Sequence, residues 1–507
     1  MNETVTQASW IPLAILLTSL LPGLVIFGLR EHQVRWRTTL NLTGAIIKVG
    51  LVIALVPPVT SGLRLEYRQQ LLPGVDLVLI TDPLALLFVG LSTLLWLLTT
   101  IYAIGYLETS ANRSRFFGFF SLCVTATVGI ALSGNLVTFL LFFEVLTLVT
   151  YPLVAHRGTK AALRGARTYL AYTVTGGIVL LGGVAWLTAV AGPVEFRSRG
   201  AEEVTELAAA DPGTAVGIFA VLIAGLAVKA ALVPVHGWLP IAMVAPAPVS
   251  ALLHAVAVVK AGVFGIIRVV HDVFGVHLAS DLGVLTPLAV LAGITIVYGS
   301  VRALAQDELK ARLAYSTVSQ VSYITLGATL LAVTATTGGI AHLVHQGLMK
   351  VSLFFCAGLF AEVLGLTRVS QLAGVGRRMP VASASFTVAA LGMIGIPPMA
   401  GFVSKWYLGV GALEAGQPWV LGVLAASTLL NAAYFLPIIY VLWFKDPDEG
   451  AAWQGAQTHQ RHGVEAPLSL LVPALLTAVF ALAVGVLAGL GYSPLSLAEL
   501  VAVRSYS

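Results

Sequence analysis

Apolar residues run along this chain in long, nearly unbroken windows, and polar residues collect in the gaps between them. Windows of spanning length lie at 10–29, 39–57, 82–106, 115–133, 135–155, 168–192, 214–236, 247–270, 283–303, 312–332, 337–363, 383–411, 418–443 and 466–491. About 20 apolar residues is the length a helix needs to cross the hydrocarbon core of a bilayer. The pattern predicts an all-α polytopic membrane protein with about fourteen spans. One gap breaks the rhythm: GLRLEYRQQLLPGVDLVLI, within 58–81, alternates and carries turn residues, so it predicts a short hairpin outside the membrane. The stretch 365–380, GLTRVSQLAGVGRRMP, predicts an interfacial helix.

Two windows are interrupted. Span seven reads VLIAGLAVKAALVPVHGWLP, with Lys229 just before Pro234. Span twelve reads AALGMIGIPPMAGFVSKWYL, with Pro397 and Pro398 just before Lys405. Proline removes a backbone donor and breaks a helix. In lipid, broken backbone is tolerated only where protein or a water-filled cavity receives it. Spans four to eight and nine to thirteen are five helices each, and the broken helix is fourth in both sets. An odd repeat length requires the second copy to be inverted, and matched breaks place the working site at the breaks. The chain then divides into N-terminal helices (1–107), a first repeat (115–271), a second repeat (283–444) and a C-terminal loop and helix (445–507).

Charge adds orientation. Arg30, Arg35 and Arg37, Arg113 and Arg115, Arg157, Lys160, Arg164 and Arg167, Arg302 and Arg312, Arg368, Arg377 and Arg378, and Lys445 and Arg461 fall in alternate loops. The opposite loops carry Arg64, Arg68, Arg197 and Arg199, diluted by Glu195, Glu202, Glu203, Glu206 and Asp211. Basic residues mark the cytoplasmic side, so both termini are expected outside. The composition agrees: 58% hydrophobic and 10% charged, with a net charge of +5 that arginine-rich loops explain without nucleic acid. The first window lacks a basic n-region and a cleavage site, and reads as a span rather than a signal peptide.

The candidate chemistry lies in charges that interrupt the windows. Five of the eight lysines, Lys48, Lys229, Lys260, Lys350 and Lys405, sit in apolar runs, while the loops use arginine. Lysine can lose its proton on burial, and arginine does not. A charge at mid-bilayer costs about 2.5–3.5 kcal/mol on insertion scales, so several in one chain predict a proton path. Glu144 in span five and Lys229 on broken span seven suit one switching pair, the alternative being a static ion pair that fixes packing. Lys260 and His254 in span eight suit a continuation, against a packing role for the lysine and a satisfied hydrogen bond for the histidine. His342 and His345, three apart on span eleven, share a face near Lys350. They read as a relay rather than as metal ligands, because no local carboxylate or thiolate completes a metal set. Lys405 ends the series. His236 and Trp238 are expected to face the cytoplasmic mouth. Lys48 either snorkels or lines a partner interface, and Asp82 and Lys310 are expected to be solvated at span ends.

Several chemistries are excluded. No GxxxxGK[ST] and no dinucleotide fingerprint occurs. Cys123 and Cys356 are far apart in apolar segments, which suits buried thiols and no iron–sulfur cluster. No cofactor and no metal is expected, so energy must come from an ion gradient or a partner.

The runs VKAALVPVHGWLPIAMVAPAPVSALLHAVAVVKAG, DELKARLAYSTVSQVSY, HQGLMKVSLFFCAG and IGIPPMAGFVSKWYL resemble the antiporter-like subunits of respiratory complex I and of Mrp-type multisubunit cation/proton antiporters. The resemblance covers about 80 to 445. It implies fourteen helices with two inverted five-helix repeats, Glu144 and Lys229 as the pair, Lys260 as the bridge, Lys405 as the terminal lysine, and His342, His345 and Lys350 as a relay. Gln320 stands where some members have histidine. The run from SQLAGVGRRMP to FVSKWYLGVGALEAGQPW resembles the D-type Mrp subunits, whereas HGWLPIAMVAPAPVSALLHA is more like complex I or the A-type Mrp subunits. The expected function is a proton-translocating subunit of a monovalent cation (Na⁺)/proton antiporter in a bacterial plasma membrane, with other membrane subunits as partners. The alternatives are a proton-pumping membrane-arm subunit of complex I or a related hydrogenase, and a scaffold or inorganic-carbon uptake subunit.

Overall fold

The structure, a computed structural model of the chain, describes residues 5–107, 110–447 and 465–506. The expected loop residue Arg461 lies outside them. The helices follow the windows. They are α1 (Ile11–Phe27), α2 (Val34–Thr60), α3 (Pro83–Tyr106), α4 (Arg113–Leu132), α5 (Leu136–Val154), α6 (Lys160–Ala191), α7 (Pro212–Ala230) and α8 (Ala247–Val273). Then come α9 (Leu285–Leu304), α10 (Leu309–Thr329), α11 (Val333–Leu364), α12 (Pro380–Ile394), α13 (Ala400–Glu414), α14 (Trp419–Trp443), α15 (Leu468–Val486) and α16 (Pro494–Tyr506). Local chemistry sets several starts. Asp82, Asn135, Thr159 and Asp211 each cap a helix by accepting a backbone N–H from the first turn, and Pro83 and Pro212 occupy first positions.

Among the described residues, eleven helices are long and apolar enough to cross a bilayer unaided. The remaining three expected windows fall on helices that do not meet that description alone. The first, α1, has only 17 residues. Expected span twelve is two 15-residue helices, α12 and α13, separated at Gly395–Met399. Helix α10 is long enough but polar, and its Ser316, Thr317, Ser319, Gln320, Ser322 and Thr325 are all buried against protein. A polar span of this kind is tolerated because other helices, not lipid, surround it.

The hairpin forms as expected from β2 (Leu63–Leu72) and β3 (Val75–Thr81), antiparallel around Pro73–Gly74. A further strand, β1 (Val5–Ala8), pairs parallel with β2, so the all-α body carries a three-stranded sheet at one end. The interfacial helix expected at 365–380 is instead two single turns, Val369–Gln371 and Val375–Arg378, because Gly374 sits at φ +70° between them. Arg37 is not a loop marker: it lies in the first turns of α2, 2% exposed, and donates to the Ser114 hydroxyl at 2.8 Å.

The packing order repeats. In the first set α4, α5, α6, α7 and α8 pack in sequence, and in the second α9, α10, α11, α13 and α14 do the same. The third helix of each set is 32 residues long, and the fourth is broken. Helix α8 is wholly buried, and its first half packs on α11 where the two sets meet. That junction is the core of the molecule.

Candidate functional site

The break after α7 positions the first lysine. The helix ends at Ala230, and Ala231 turns into the left-handed region at φ +56°, a conformation that costs a residue with a Cβ. Two groups satisfy the exposed carbonyls. The Leu232 N–H bonds to Ala227 O at 3.0 Å, and the Trp238 indole N–H donates to Val228 O at 2.7 Å. Trp238 is therefore fully buried as a cap of the break and does not face a mouth. His236 is also buried, edge-on to Tyr298 at 4.9 Å. A Cβ on Gly262, two residues after Lys260, would lie 2.1 Å from Ala230 N. Only glycine lets α8 come this close to the Lys229 turn.

Lys229 is fully buried, and its ammonium donates to the Phe143 carbonyl on α5 and lies 3.3 Å from the centre of the Phe143 ring. Its partner Glu144 is the next residue on α5. The Glu144 carboxylate lies over Gly177 of α6, where no Cβ intervenes, and its Oε1 is buried without a partner. The two charges act on each other through space but are not closed into an ion pair. The alternative reading, a static closed ion pair, is not what the structure holds.

Helix α8 continues the row, and here it holds an interruption that no proline or glycine announced. The Val256 and Ala257 N–H groups both bond to Leu252 O, and the helix restarts at Val258. His254 and Lys260 flank this bulge. The His254 Nε2 is 3.1 Å from Met243 Sδ, its ring stacks on Phe354 at 4.6 Å, and its Nδ1 is unpartnered. Lys260 is fully buried and its Nζ has no hydrogen-bond partner.

On α11 the three residues separate in their partners. His342 Nδ1 is 2.7 Å from the Ser404 hydroxyl of α13, and its Nε2 is free. His345 has neither ring nitrogen partnered, and neither does the Gln346 amide beside it. Lys350 donates to Leu313 O of α10 at 3.1 Å. Gln320 and the Tyr323 hydroxyl on α10 are buried and unpartnered as well.

The second break holds the last lysine. Gly395 ends α12 at φ +90°, and Lys405 folds back over it from α13. Its ammonium donates to Ile394 O at 2.8 Å, Met393 O at 3.3 Å and Thr428 Oγ1 at 3.3 Å. A cation on the last carbonyls of a helix is favoured by the helix dipole. Lys405 also lies 5.5 Å from the Tyr323 ring. Glu144, Lys229, Lys260, His254, His342, His345, Lys350 and Lys405 thus lie on α5, α7, α8, α11 and α13, helices that pack on one another.

Others stand elsewhere. Lys48 is fully buried in the N-terminal helices, donates to Ser19 Oγ at 2.8 Å and lies 4.6 Å from the Trp96 ring, so it neither snorkels nor faces a surface. Lys310 donates to Ala245 O at 2.6 Å instead of water alone. Asp82 is likewise no solvated loop end, because it binds the buried Arg268 guanidinium at 2.6 Å. Arg268, with Asp272 one turn on, is absent from the expected set. The signal was the charge pair Arg268/Asp272 at (i, i+4) spacing just past an apolar run.

With this geometry in hand, comparison with known proteins is specific. Residues 133–431 match the family model described as NADH:quinone oxidoreductase/Mrp antiporter, TM, and residues 74–117 match that of the complex I chain 5 N-terminus. The NADH-quinone oxidoreductase subunit N of Desulforudis audaxviator is 35% identical over 422 residues, 81% of this chain and 82% of that one. The D subunit of the Na(+)/H(+) antiporter of Alkalihalophilus pseudofirmus is 28% identical over 72% of this chain and 73% of its own. The A/B subunit of a probable K(+)/H(+) antiporter of Rhizobium meliloti is 31% identical over 85% of this chain, which spans only 43% of that relative. One chain of the Mrp complex from Dietzia sp. DQ12-45-1b superposes with a TM-score of 0.85 at 26% identity, covering 98% of this chain and 97% of that one. This chain belongs to the NADH:quinone oxidoreductase/Mrp antiporter family of multi-pass membrane proteins.

Proposed function

We propose that the chain is a proton-translocating subunit of a multisubunit antiporter that exchanges protons for Na⁺ or another monovalent cation across a bacterial plasma membrane. Its partners are the other membrane subunits of that complex. The proposal assigns the relay to Glu144, Lys229, Lys260, His254, His342, His345, Lys350 and Lys405, carried by repeats at 115–271 and 283–444. Residues 1–107 and 445–507 flank them.

One observation carries this reading: the row of buried titratable groups that runs between the two helix breaks is under-satisfied within the protein. Buried polar groups are normally hydrogen-bonded, and internal water serves those that protein does not. Lysine amines, imidazoles and water together make a path that protons can follow. A packing role would instead favour closed ion pairs, and Glu144 and Lys229 are not closed.

Proton–cation exchange in inverted vesicles that carry the whole complex tests the proposal. Lys229→Ala should abolish exchange while the complex remains intact on a native gel. Loss of the complex with no separate loss of exchange would instead support a scaffold. A second reading, a membrane-arm subunit of a proton-pumping quinone reductase, is favoured by the 35% identity to a subunit N. Co-purification with flavin or iron–sulfur subunits, and proton movement that needs a reductant, would select it.

A further inference from the structure

At the end of the molecule that carries the strands, α8 widens into a π-turn over Arg268–Val273. Such turns recur at functional sites. This one holds Arg268, His271 and Asp272, all of them buried. The Arg268 guanidinium grips Asp82 through two bonds, 2.6 and 3.1 Å, and Asp272 through one of 2.7 Å. The rings of Phe196 and Phe264 cover its faces. Arg268 is thus a fixed cation that holds two carboxylates side by side.

Beside it lies a cavity of about 20 Å³ lined by Asp82, Ser198, Arg268, His271, Asp272 and Arg504. That is room for a single water. Ser198 is exposed, so the cavity meets the surface there. His271 is 1% exposed. Its Nε2 lies 3.1 Å from Ala328 O. A carbonyl only accepts, so Nε2 is assigned the hydrogen and Nδ1 presents a lone pair. That Nδ1 is buried and has no partner. Inward from here, Thr325 Oγ1 and the Gln320 amide of α10 are also buried and unpartnered. Helix α10 is the one whose Ala328 carbonyl His271 touches.

We infer that this cavity is the outward port of the buried row, with His271 as the group that exchanges a proton with the outside and Arg268 as the residue that positions Asp82 and Asp272 beside it. The inference rests on the relay reading above and names where that relay meets the external solution. The step is a proton transfer alone. An O–H bond of water in the cavity breaks, an N–H bond forms at Nδ1, and the hydroxide left behind takes a proton from the outside. Release reverses the step. The charged residues that line the cavity with His271 are Arg268 and Asp272 on its own helix, Asp82 at the start of α3 and Arg504 on α16.

Two measurements on the intact complex decide the matter. Ser198→Cys puts a thiol on the exposed rim of the cavity. A membrane-impermeant maleimide should label it from the outside of intact cells, above the background of Cys123 and Cys356. Labelling only from the inner face, or from neither, overturns the port. His271→Gln keeps an N–H for Ala328 O but cannot carry a proton. Exchange should fall about a hundredfold or more, the lower end of the range for losing a positioned proton-transfer group, with the complex intact. Exchange at the native rate overturns the role of His271. If that variant does not assemble, the labelling result decides alone. Lys229→Arg and Lys405→Arg chains that both transport normally sink the relay itself, whereas a dead Lys229→Arg beside a native His271→Gln sinks only the port.

Discussion

Lysine and arginine supply the same charge, but only lysine gives up its proton within a membrane. The structure turns that difference into a test at two sites that hold their lysines alike. Lys229 donates to Phe143 O beside the first break, and Lys405 donates to Ile394 O and Met393 O across the second. A guanidinium can make the same donations. Lys229→Arg and Lys405→Arg should therefore assemble at native abundance and yet lose at least about nine-tenths of proton–cation exchange, as expected when a proton-transfer group is blocked. Native exchange in both would end the relay reading. Glu144 belongs to the same scale. Its free Oε1 over Gly177 leaves the carboxylate able to close on Lys229, so Glu144→Ala should lower exchange without loss of the complex. Native exchange by an assembled Glu144→Ala chain would leave the pair a structural one.

Helices in this fold approach one another through glycine, because dispersion contact and close backbone approach drive association where lipid removes the hydrophobic drive. The contact that matters most joins α8 to the end of α7, since it brings the backbone two residues past Lys260 against the Lys229 turn. A Cβ at Gly262 would meet Ala230 N at 2.1 Å and Lys229 C at 2.6 Å, both backbone atoms that cannot swing away. Gly262→Val should cost about 3 kcal/mol, the upper range of core overpacking, and lower both thermal stability and exchange. Gly182 on α6 has nothing within 4 Å of a built Cβ, so Gly182→Ala is the matched control and should leave both unchanged. Equal effects of the two changes, read as melting temperature in detergent, would show that the close approach is not what α8 depends on.

Orientation is a property of the whole molecule. The segment 157–167, with Arg157, Lys160, Arg164 and Arg167, opens α6 at the end opposite the sheet, and the sheet lies with the Glu195 loop through the Arg68–Glu195 ion pair of 2.6 Å. Positive charge on the first end predicts that it faces the cytoplasm. A cysteine placed at exposed Lys160 should be labelled in inverted vesicles and protected in intact cells. Labelling from the outside of intact cells would reverse the molecule, and with it the direction assigned to the port at His271.

The apolar windows, the breaks at Pro234 and Pro397–Pro398, and the stray charges within the windows were legible in the sequence, because each is a local signal: length against bilayer thickness, a missing backbone donor, a charge where water is absent. Those signals located Glu144, Lys229, Lys260, His254, His342, His345, Lys350 and Lys405 as candidates without saying which meet. Tertiary structure decided the rest. The interruption between His254 and Lys260 lies in AVAVV, where no residue breaks a helix by itself, and it is seen only in the folded chain, where the Val256 and Ala257 N–H groups both bond to Leu252 O. Arg268 and Asp82 are 186 positions apart, so no spacing rule could join them before the fold brought the start of α3 against the end of α8. Trp238 reads as a surface aromatic in sequence and becomes a helix cap only when the chain after Ala231 folds back on Val228. Local signals name the residues that a membrane makes expensive, and only the packing of distant helices decides which of them lie on neighbouring elements.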